Sequence, residues 1–229
     1  MTPAQPQPRN LLVDSFVLAG GRSSRMGSDK ALLEIGGQPL IALALERLRA
    51  SGTTPRICGS RSDLARFAPA LPDRFPNAGP LAGLEAALAA SVSELSLFLP
   101  VDLPALPAAF LRWLLARAQT SQALATVPYF AGRAQPLCAV YSRHLLPGIR
   151  QSLRAGQFKV LAAIQLAAAS LGQRIDAFQV ESVASALPPG VWPAFPPPYQ
   201  WFRNVNSHFD FEILLRELAS GAKPDHPIS

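Results

Sequence analysis

Lysine is scarce in this chain. Its 229 residues hold 21 Lys and Arg together, and only Lys30, Lys159 and Lys223 are lysines. A lysine inside a motif is therefore a selective feature rather than routine surface charge. Cysteine is scarcer still: Cys58 and Cys138 are too few and too far apart for a disulfide framework or a zinc knuckle. Each sits in an apolar strand-like run and reads as a buried thiol in a reducing compartment. The three histidines, His144, His208 and His226, fall outside every motif described below and read as surface or structural. No apolar run approaches the roughly 20 residues of a membrane span. The N-terminus, Met1 to Pro8, has neither the basic region nor the apolar region of a secretory signal. A soluble, cytoplasmic protein with no membrane partner is expected. The net charge of +6 suits an anionic ligand, yet no block of five like charges forms a stripe, so nucleic acid is not an expected partner.

Hydrophobic residues make up 49% of the chain, enough at this length to bury one sizeable α/β core. Residues 1–10 are polar and proline-rich and read as a disordered tail, which leaves 11–229 for a single domain. Strand-like runs at Ser15–Ala19, Arg56–Gly59, Leu95–Leu99, Ala123–Val127 and Pro136–Tyr141 alternate with helix-like segments. Helices are predicted from Leu40, behind Pro39, to a stop at Gly52, over Pro80–Ala90 and Pro107–Ala118, and from His144 to Leu171 with a break near Gly156. That order predicts an α/β fold, a Rossmann-like, mostly parallel sheet flanked by helices. One segment interrupts it: Leu187–Tyr199 has six prolines in thirteen residues and can be neither helix nor central strand. It reads as a polyproline ligand or as a stiff surface insertion. Trp192 and Phe195 favour the second, a loop that packs back onto the domain. A last strand at Trp201–Asn204 and a helix at Phe209–Ala219, capped by Ser207, are expected after it.

The densest concentration of chemistry is Leu18 to Leu33, LAGGRSSRMGSDKALL, directly behind the apolar run Phe16-Val17-Leu18. Adjacent glycines at 20 and 21 let the backbone turn sharply and bring its N–H groups near phosphate oxygens, and Arg22, Arg25 and Lys30 add cationic charge. The segment fits neither G-x-x-x-x-G-K-[ST] nor G-x-G-x-x-G. As a bare glycine-rich loop it is as readily a structural turn as a phosphate cradle. Lys30 can also be read as a solvated cation beside Asp29 or Glu34, though exposed pairs of that kind are worth little.

A second concentration is Leu95 to Asp102, an apolar strand that ends on an acid between Pro100 and Pro104. A carboxylate at the carboxyl end of a parallel strand faces the crevice where open α/β sheets bind ligands. Magnesium takes a few carboxylate oxygens plus substrate phosphates, so one acid there is enough to hold Mg²⁺ against a triphosphate. Read alone, Asp102 serves equally well as a cap for the helix that follows. Gly79 to Gly83, GPLAG, opens a helix with glycines on both sides of its first turn, which a plain loop-to-helix turn also explains. Asn204 and Asn206 bracket Val205 and form a polar pair at the end of the expected last strand.

Taken in order, LAGGRSSRMGSDKALL, Asp73, GPLAG, Pro100 to Pro104 (PVDLP), Gln135 to Tyr141 (QPLCAVY) and Phe202 to Asn206 (FRNVN) resemble the nucleotidyltransferases that join a nucleoside triphosphate to a phosphorylated acceptor. Within them the chain is most similar to the molybdenum cofactor guanylyltransferase (MobA) family, over about residues 14–218. The resemblance implies a nucleotide-diphospho-sugar transferase-like fold, GTP and molybdopterin as substrates, Mg²⁺ as cofactor and transient contact with cofactor-delivering proteins. It implies catalysis by Lys30, Arg25 and Asp102, with Asp102 as the metal ligand. Nucleotide binding then falls to Leu18, Ala19, Gly20, Gly21, Lys30, Cys58, Asp73, Gly79 and Asp102, with the Asp73 carboxylate accepting from guanine N1–H and N2–H₂. Acceptor binding falls to Gln135, Asn204 and Asn206. Two positions depart from the family: Cys58 stands where asparagine is usual, and Gln135 where histidine is frequent. Other readings keep the chemistry and change the substrates, to CTP or to a sugar or alcohol phosphate. A further one is a nucleotide-binding adaptor without catalysis.

Overall fold

The computed structural model describes residues 13–19, 29–188, 190–193, 196–205, 209, 210, 212–214 and 216. The expected tail at 1–10, the Ser207 cap, His208 and His226 lie outside them. The strands are β1 (Val13–Leu18), β2 (Glu34–Ile35), β3 (Gln38–Pro39), β4 (Pro55–Cys58), β5 (Ala70–Leu71), β6 (Leu95–Pro100), β7 (Ala125–Phe130), β8 (Arg133–Ala134), β9 (Val140–Ser142) and β10 (Asp176–Gln179). The helices are α1 (Leu40–Ala50), α2 (Pro80–Ala90), α3 (Ala108–Ser121), α4 (Leu146–Arg154), α5 (Val160–Ser170) and α6 (Val180–Ala186). The main sheet runs β10-β7-β9-β6-β1-β4-β5, with β8 paired to β7. β1 pairs in parallel with both β4 and β6, β4 with β5 and β10 with β7, whereas β9 lies antiparallel between β6 and β7. The sheet is mixed and mostly parallel, flanked by helices, in agreement with the expected class.

Alternation along the central strands explains why both faces carry helices. In β1, Val17 enters the core that holds α1 and α3, while Phe16 and Leu18 enter the core that holds α2, α4 and α5. β6 repeats the division, with Leu97 and Leu99 on the first side and Phe98 on the second. A strand apolar at every position is what burial on both faces demands. α1 buries Leu40, Ile41, Ala44, Leu45 and Leu48, one stripe at helical spacing. α2 is small and apolar almost all round, and Leu81 to Leu88 are buried without a gap.

Three expectations are corrected. The strand placed at Pro136–Tyr141 is confined to Val140–Ser142, because Cys138 N–H closes a turn onto the Gln135 carbonyl (3.0 Å) ahead of it. Trp201–Asn204 is no strand: it continues a 3₁₀ turn at Pro198–Gln200, with Trp201 and Arg203 N–H donating back to Pro198 and Gln200. β10 and α6 were not expected at all, since Arg174 to Ala186 carries no turn signal or clear periodicity. The described residues of the 209–219 segment are helical.

The proline-rich segment does pack back. Trp192 lies 5.3 Å from Trp201, 6.1 Å from Trp113 and 6.3 Å from Phe110 between ring centroids. Trp201 is fully buried and donates its indole N–H to the Pro196 carbonyl at 2.8 Å. Among the described residues no helix is long and apolar enough to cross a membrane.

α4 and α5 pack so closely that a Cβ on Gly148 would lie 2.5 Å from Ala167 Cβ and 2.7 Å from its Cα. Helix propensity alone would favour alanine at 148 by about 1 kcal/mol. Overpacking a backbone contact of this kind costs about 1–3 kcal/mol, so the steric term wins. Gly148→Ala is expected to lower the urea midpoint, and an unchanged or higher midpoint would show that α5 is free to retreat.

Candidate active site

The site is laid out by strand register. Leu18 pairs with both Cys58 and Pro100, so β1, β4 and β6 end level with one another. Two further hydrogen bonds tie the ends together, Ala19 N–H to the Cys58 carbonyl at 3.1 Å and Val101 N–H to the Leu18 carbonyl at 3.2 Å. This carboxyl edge is where an open α/β sheet presents its ligand crevice.

Asp102, two residues beyond β6, accepts a hydrogen bond from Lys30 Nζ at 2.9 Å, and the two side chains are 23% and 16% exposed. The helix-cap reading of Asp102 does not hold: α3 starts at Ala108, and its N-cap, Pro107, lends no side chain. Lys30 opens a 3₁₀ turn, Lys30–Leu32, whose cap is the Asp29 carboxylate accepting from Ala31 N–H at 3.1 Å. Asp29 is in turn held by Arg61, whose Nη1 donates to Asp29 Oδ1 at 3.1 Å and whose Nη2 reaches Oδ2. The same guanidinium donates from Nε and Nη2 to Asp63 at 2.8 and 2.6 Å. The hydrogen bond to Asp63 lifts the Arg61 pKa most, with Asp29 adding to it against the opposing effect of burial.

A second group of residues meets at Gly83. An ideal Cβ on Gly83 would meet Leu18 Cδ2 at 3.3 Å, Cys58 Cβ at 3.5 Å and Asp73 Oδ1 at 3.7 Å. The missing side chain of Gly83 thus leaves a gap bordered by a leucine, a thiol and a carboxylate. Asp73 Oδ1 is buried without a hydrogen-bond partner, and desolvation raises the Asp73 pKa. Burial also raises the Cys58 thiol, well above its ordinary range, with the Asp73 charge adding to it, so Cys58 is a neutral, unreactive wall. Gly79 has φ +64° at the N-cap of α2, a conformation that favours glycine, and Pro80 follows at the helix start. The segment ahead of it is pinned through Glu85 of α2, which is fully buried and paired with Arg74 (2.5 Å) and with Arg150 of α4 (2.7 Å).

The acceptor-side residues are placed less tightly. Val205 N–H donates to the Asp102 carbonyl at 3.2 Å, which brings exposed Asn204 to the neighbourhood of the acid. Gln135 sits beyond β8, its N–H on the Pro128 carbonyl (2.8 Å) and its side-chain amide on the Arg133 carbonyl (3.4 Å). Gly20, Gly21, Arg22, Arg25 and Asn206 lie outside the described residues. Arg61 and the Arg74–Glu85–Arg150 set carry no sequence signal, and Gly83 shows in the sequence only as the end of GPLAG. Arg61 is one arginine among many and Glu85 one acid in an apolar helix, so only tertiary contacts reveal them.

Among the described residues no group of three or more His, Cys, Asp or Glu is arranged to hold a metal. A single carboxylate at a strand end does not fit zinc, which takes three or four protein ligands. It fits a hard divalent ion that draws the rest of its shell from phosphate and water.

The family described as MobA-like NTP transferase domain matches residues 15–170. A molybdenum cofactor guanylyltransferase of Serratia proteamaculans is 34% identical over 163 residues, 69% of this chain and 81% of that protein. The crystal structure of molybdopterin-guanine dinucleotide biosynthesis protein A from Archaeoglobus fulgidus superposes with a TM-score of 0.71 at 21% identity, covering 91% of this chain and all of that one. A Mycobacterium tuberculosis protein solved in complex with manganese has the same fold, with a TM-score of 0.56 at 16% identity over 90% of this chain and 98% of its own.

Asp73 carries a consequence for stability. Its folded pKa is raised above the unfolded value, so its favourable contribution is complete below the unfolded pKa and is lost as pH rises through the folded one. Asp73→Asn removes that loss. The variant is expected to unfold at a higher denaturant midpoint than the parent at neutral pH, and the two curves to converge in acid; a variant weaker at neutral pH would contradict this.

Proposed function

We propose that this chain, which belongs to the MobA-like NTP transferase family, transfers GMP from GTP to the terminal phosphate of molybdenum-bound molybdopterin and releases pyrophosphate. The observation that carries the reading is the Lys30–Asp102 pair at the level carboxyl ends of β1, β4 and β6, beside the recess at Gly83. A cation for phosphate and an acid for a divalent ion stand next to a helix face that carries no side chain at Gly83 and a carboxylate oxygen without a partner.

The chemistry needs no side-chain nucleophile. An oxygen of the acceptor phosphate attacks the α-phosphorus, the bond to the β-bridging oxygen breaks, and the electron pair leaves with pyrophosphate. What the protein supplies is placement and charge. The Lys30 ammonium lies against Asp102 and is the cation within reach of an incoming triphosphate. Asp102 is the residue that would hold a divalent ion, for which Mg²⁺ is the proposed species; such an ion would supply positive charge to the phosphates. Gly20, Gly21 and Arg25 are assigned to the β- and γ-phosphates by the order of the motif. The base enters against Leu18, Cys58 and the bare Gly83, where the partnerless Asp73 Oδ1 accepts from guanine N1–H and N2–H₂. Asn204 and Asn206 would receive the acceptor beside Asp102, with Gln135 farther out.

Guanine is favoured over cytosine by the recess itself. A buried acceptor with no partner costs free energy until a donor reaches it, and guanine presents two adjacent donors on one edge. Pyrophosphate release measured with each of the four nucleoside triphosphates and molybdopterin is expected with GTP above the others. Turnover with CTP alone would overturn the guanylyl assignment, and tight nucleotide binding with no pyrophosphate under any condition would point to an adaptor. Asp102→Asn is expected to lower kcat on the order of 100-fold or more, the usual effect of removing one charge-stabilising group. An activity within a few-fold of the parent would remove Asp102 from the chemistry.

A further inference from the structure

The residues on either side of the glycine-bearing segment, Ala19 directly after β1 and Asp29 at the cap of the Lys30–Leu32 turn, are both fastened to one short stretch of chain. Ala19 N–H is bound to the carbonyl of Cys58, and Asp29 is bound to the side chain of Arg61, three residues further on. Arg61 is only 6% exposed, and its fork is fully committed: two contacts to Asp29 and two to Asp63. Through Asp29 it fixes the cap of the Lys30–Leu32 turn, and through that cap the point from which Lys30 reaches Asp102.

We propose that Arg61 is a positioning residue for nucleotidyl transfer, which sets Lys30 in place and neutralises the Asp29 and Asp63 carboxylates beside the incoming triphosphate. The inference rests on the phosphate-site reading above but not on the identity of the base or the acceptor. Two carboxylates flank one guanidinium, so replacing Arg61 by a neutral residue makes this cluster more negative by one charge. The added charge stands next to the residue that meets the phosphates. Repulsion therefore grows with the number of phosphates on the ligand, whereas a mere loss of packing would not be graded in this way. An Arg fork also matches a carboxylate in two places at once, which lysine cannot do.

The test compares guanosine, GMP, GDP, GTP and inorganic tripolyphosphate by calorimetry on the parent, Arg61→Gln, Arg61→Lys and the triple variant Arg61→Gln/Asp29→Asn/Asp63→Asn. Thermal unfolding is followed on each. Arg61→Gln is expected to bind guanosine within about twofold of the parent while GTP and tripolyphosphate weaken on the order of tenfold, a span typical of one nearby charge at partly buried sites. The triple variant is expected to regain most of that affinity. Arg61→Lys keeps the charge and loses the fork, so it is expected to retain GTP affinity while kcat falls. Equal weakening of guanosine and tripolyphosphate, or no change in either, would overturn the proposal. If Arg61→Gln does not fold, the Arg61→Lys split between KM and kcat decides alone, and a KM effect without a kcat effect counts against it. Graded weakening in a protein that turns over another nucleotide would leave Arg61 in its role and defeat the guanylyl reading; a parent that binds neither GTP nor tripolyphosphate would defeat both.

Discussion

Everything at the functional edge depends on the register of three adjacent parallel strands. Because Leu18 is level with both Cys58 and Pro100, β1, β4 and β6 end at the same height in the sheet. A one-residue slip in any of these pairings would exchange the two faces of that strand. Val17 would then leave the core of α1 and α3, and Leu97 and Leu99 would follow it if β6 moved. The apolar sequence therefore enforces the register, and the register delivers Asp102, Cys58 and the glycine-bearing segment to one place. The packing of the fold and the geometry of the site are the same constraint seen at two ends of the strands.

Charge arrangement at that edge is economical in a specific sense. Lys30 and Asp102 pair with each other, and the contact is partly open to solvent, so the pair adds little to stability. A weak pair suits the proposed reaction, in which both members would change partners when a metal–triphosphate complex binds. Arg61 is in the opposite situation. It is nearly buried and held by two carboxylates, and breaking one member of such a set leaves an uncompensated charge. The mobile pair thus stands on an immobile one, with Asp29 as the link between them.

Much of this was legible from residues in order. Pro80–Ala90 is the helix its proline start and apolar run imply, and the acid-ended strand at Leu95 appears where its composition places it. Both cysteines are buried thiols, and the tryptophan of the proline-rich segment is folded onto Trp201 as its size suggests. The failures have physical causes. Trp201, Phe202 and Val205 look like a strand because they are large and buried, but they are buried in an aromatic cluster with Phe110 and Trp113 rather than in a ladder. β10 and α6 have short, weakly patterned sequences; Asp176 is fastened by Arg117 of α3 at 2.7 and 2.8 Å, and Phe178 by the Trp113 ring at 5.1 Å. Those are tertiary contacts, invisible to local periodicity. The same holds for Arg61 and Glu85, whose partners are remote in sequence or spread over several elements.

The recess at Gly83 shows how recognition and stability pull against each other. Even a Cβ at 83 would press on Leu18 at 3.3 Å and touch Cys58 at 3.5 Å, so the helix packs against the strand ends there with no side chain between them. Glycine allows that close approach and weakens the helix. Asp73 adds a second cost, a buried oxygen without a donor. Neither cost has a counterpart elsewhere in α2, whose one charged residue, Glu85, is fully paired. Two uncompensated defects side by side are most simply understood as a space and an acceptor awaiting the same ligand. Cys58 cannot share the recognition, since its thiol is a poor donor held neutral by burial. In the proposed reading the discrimination between bases would therefore rest on one carboxylate and on the backbone around it, which places more of the specificity on Asp73 than an asparagine at position 58 would leave to it.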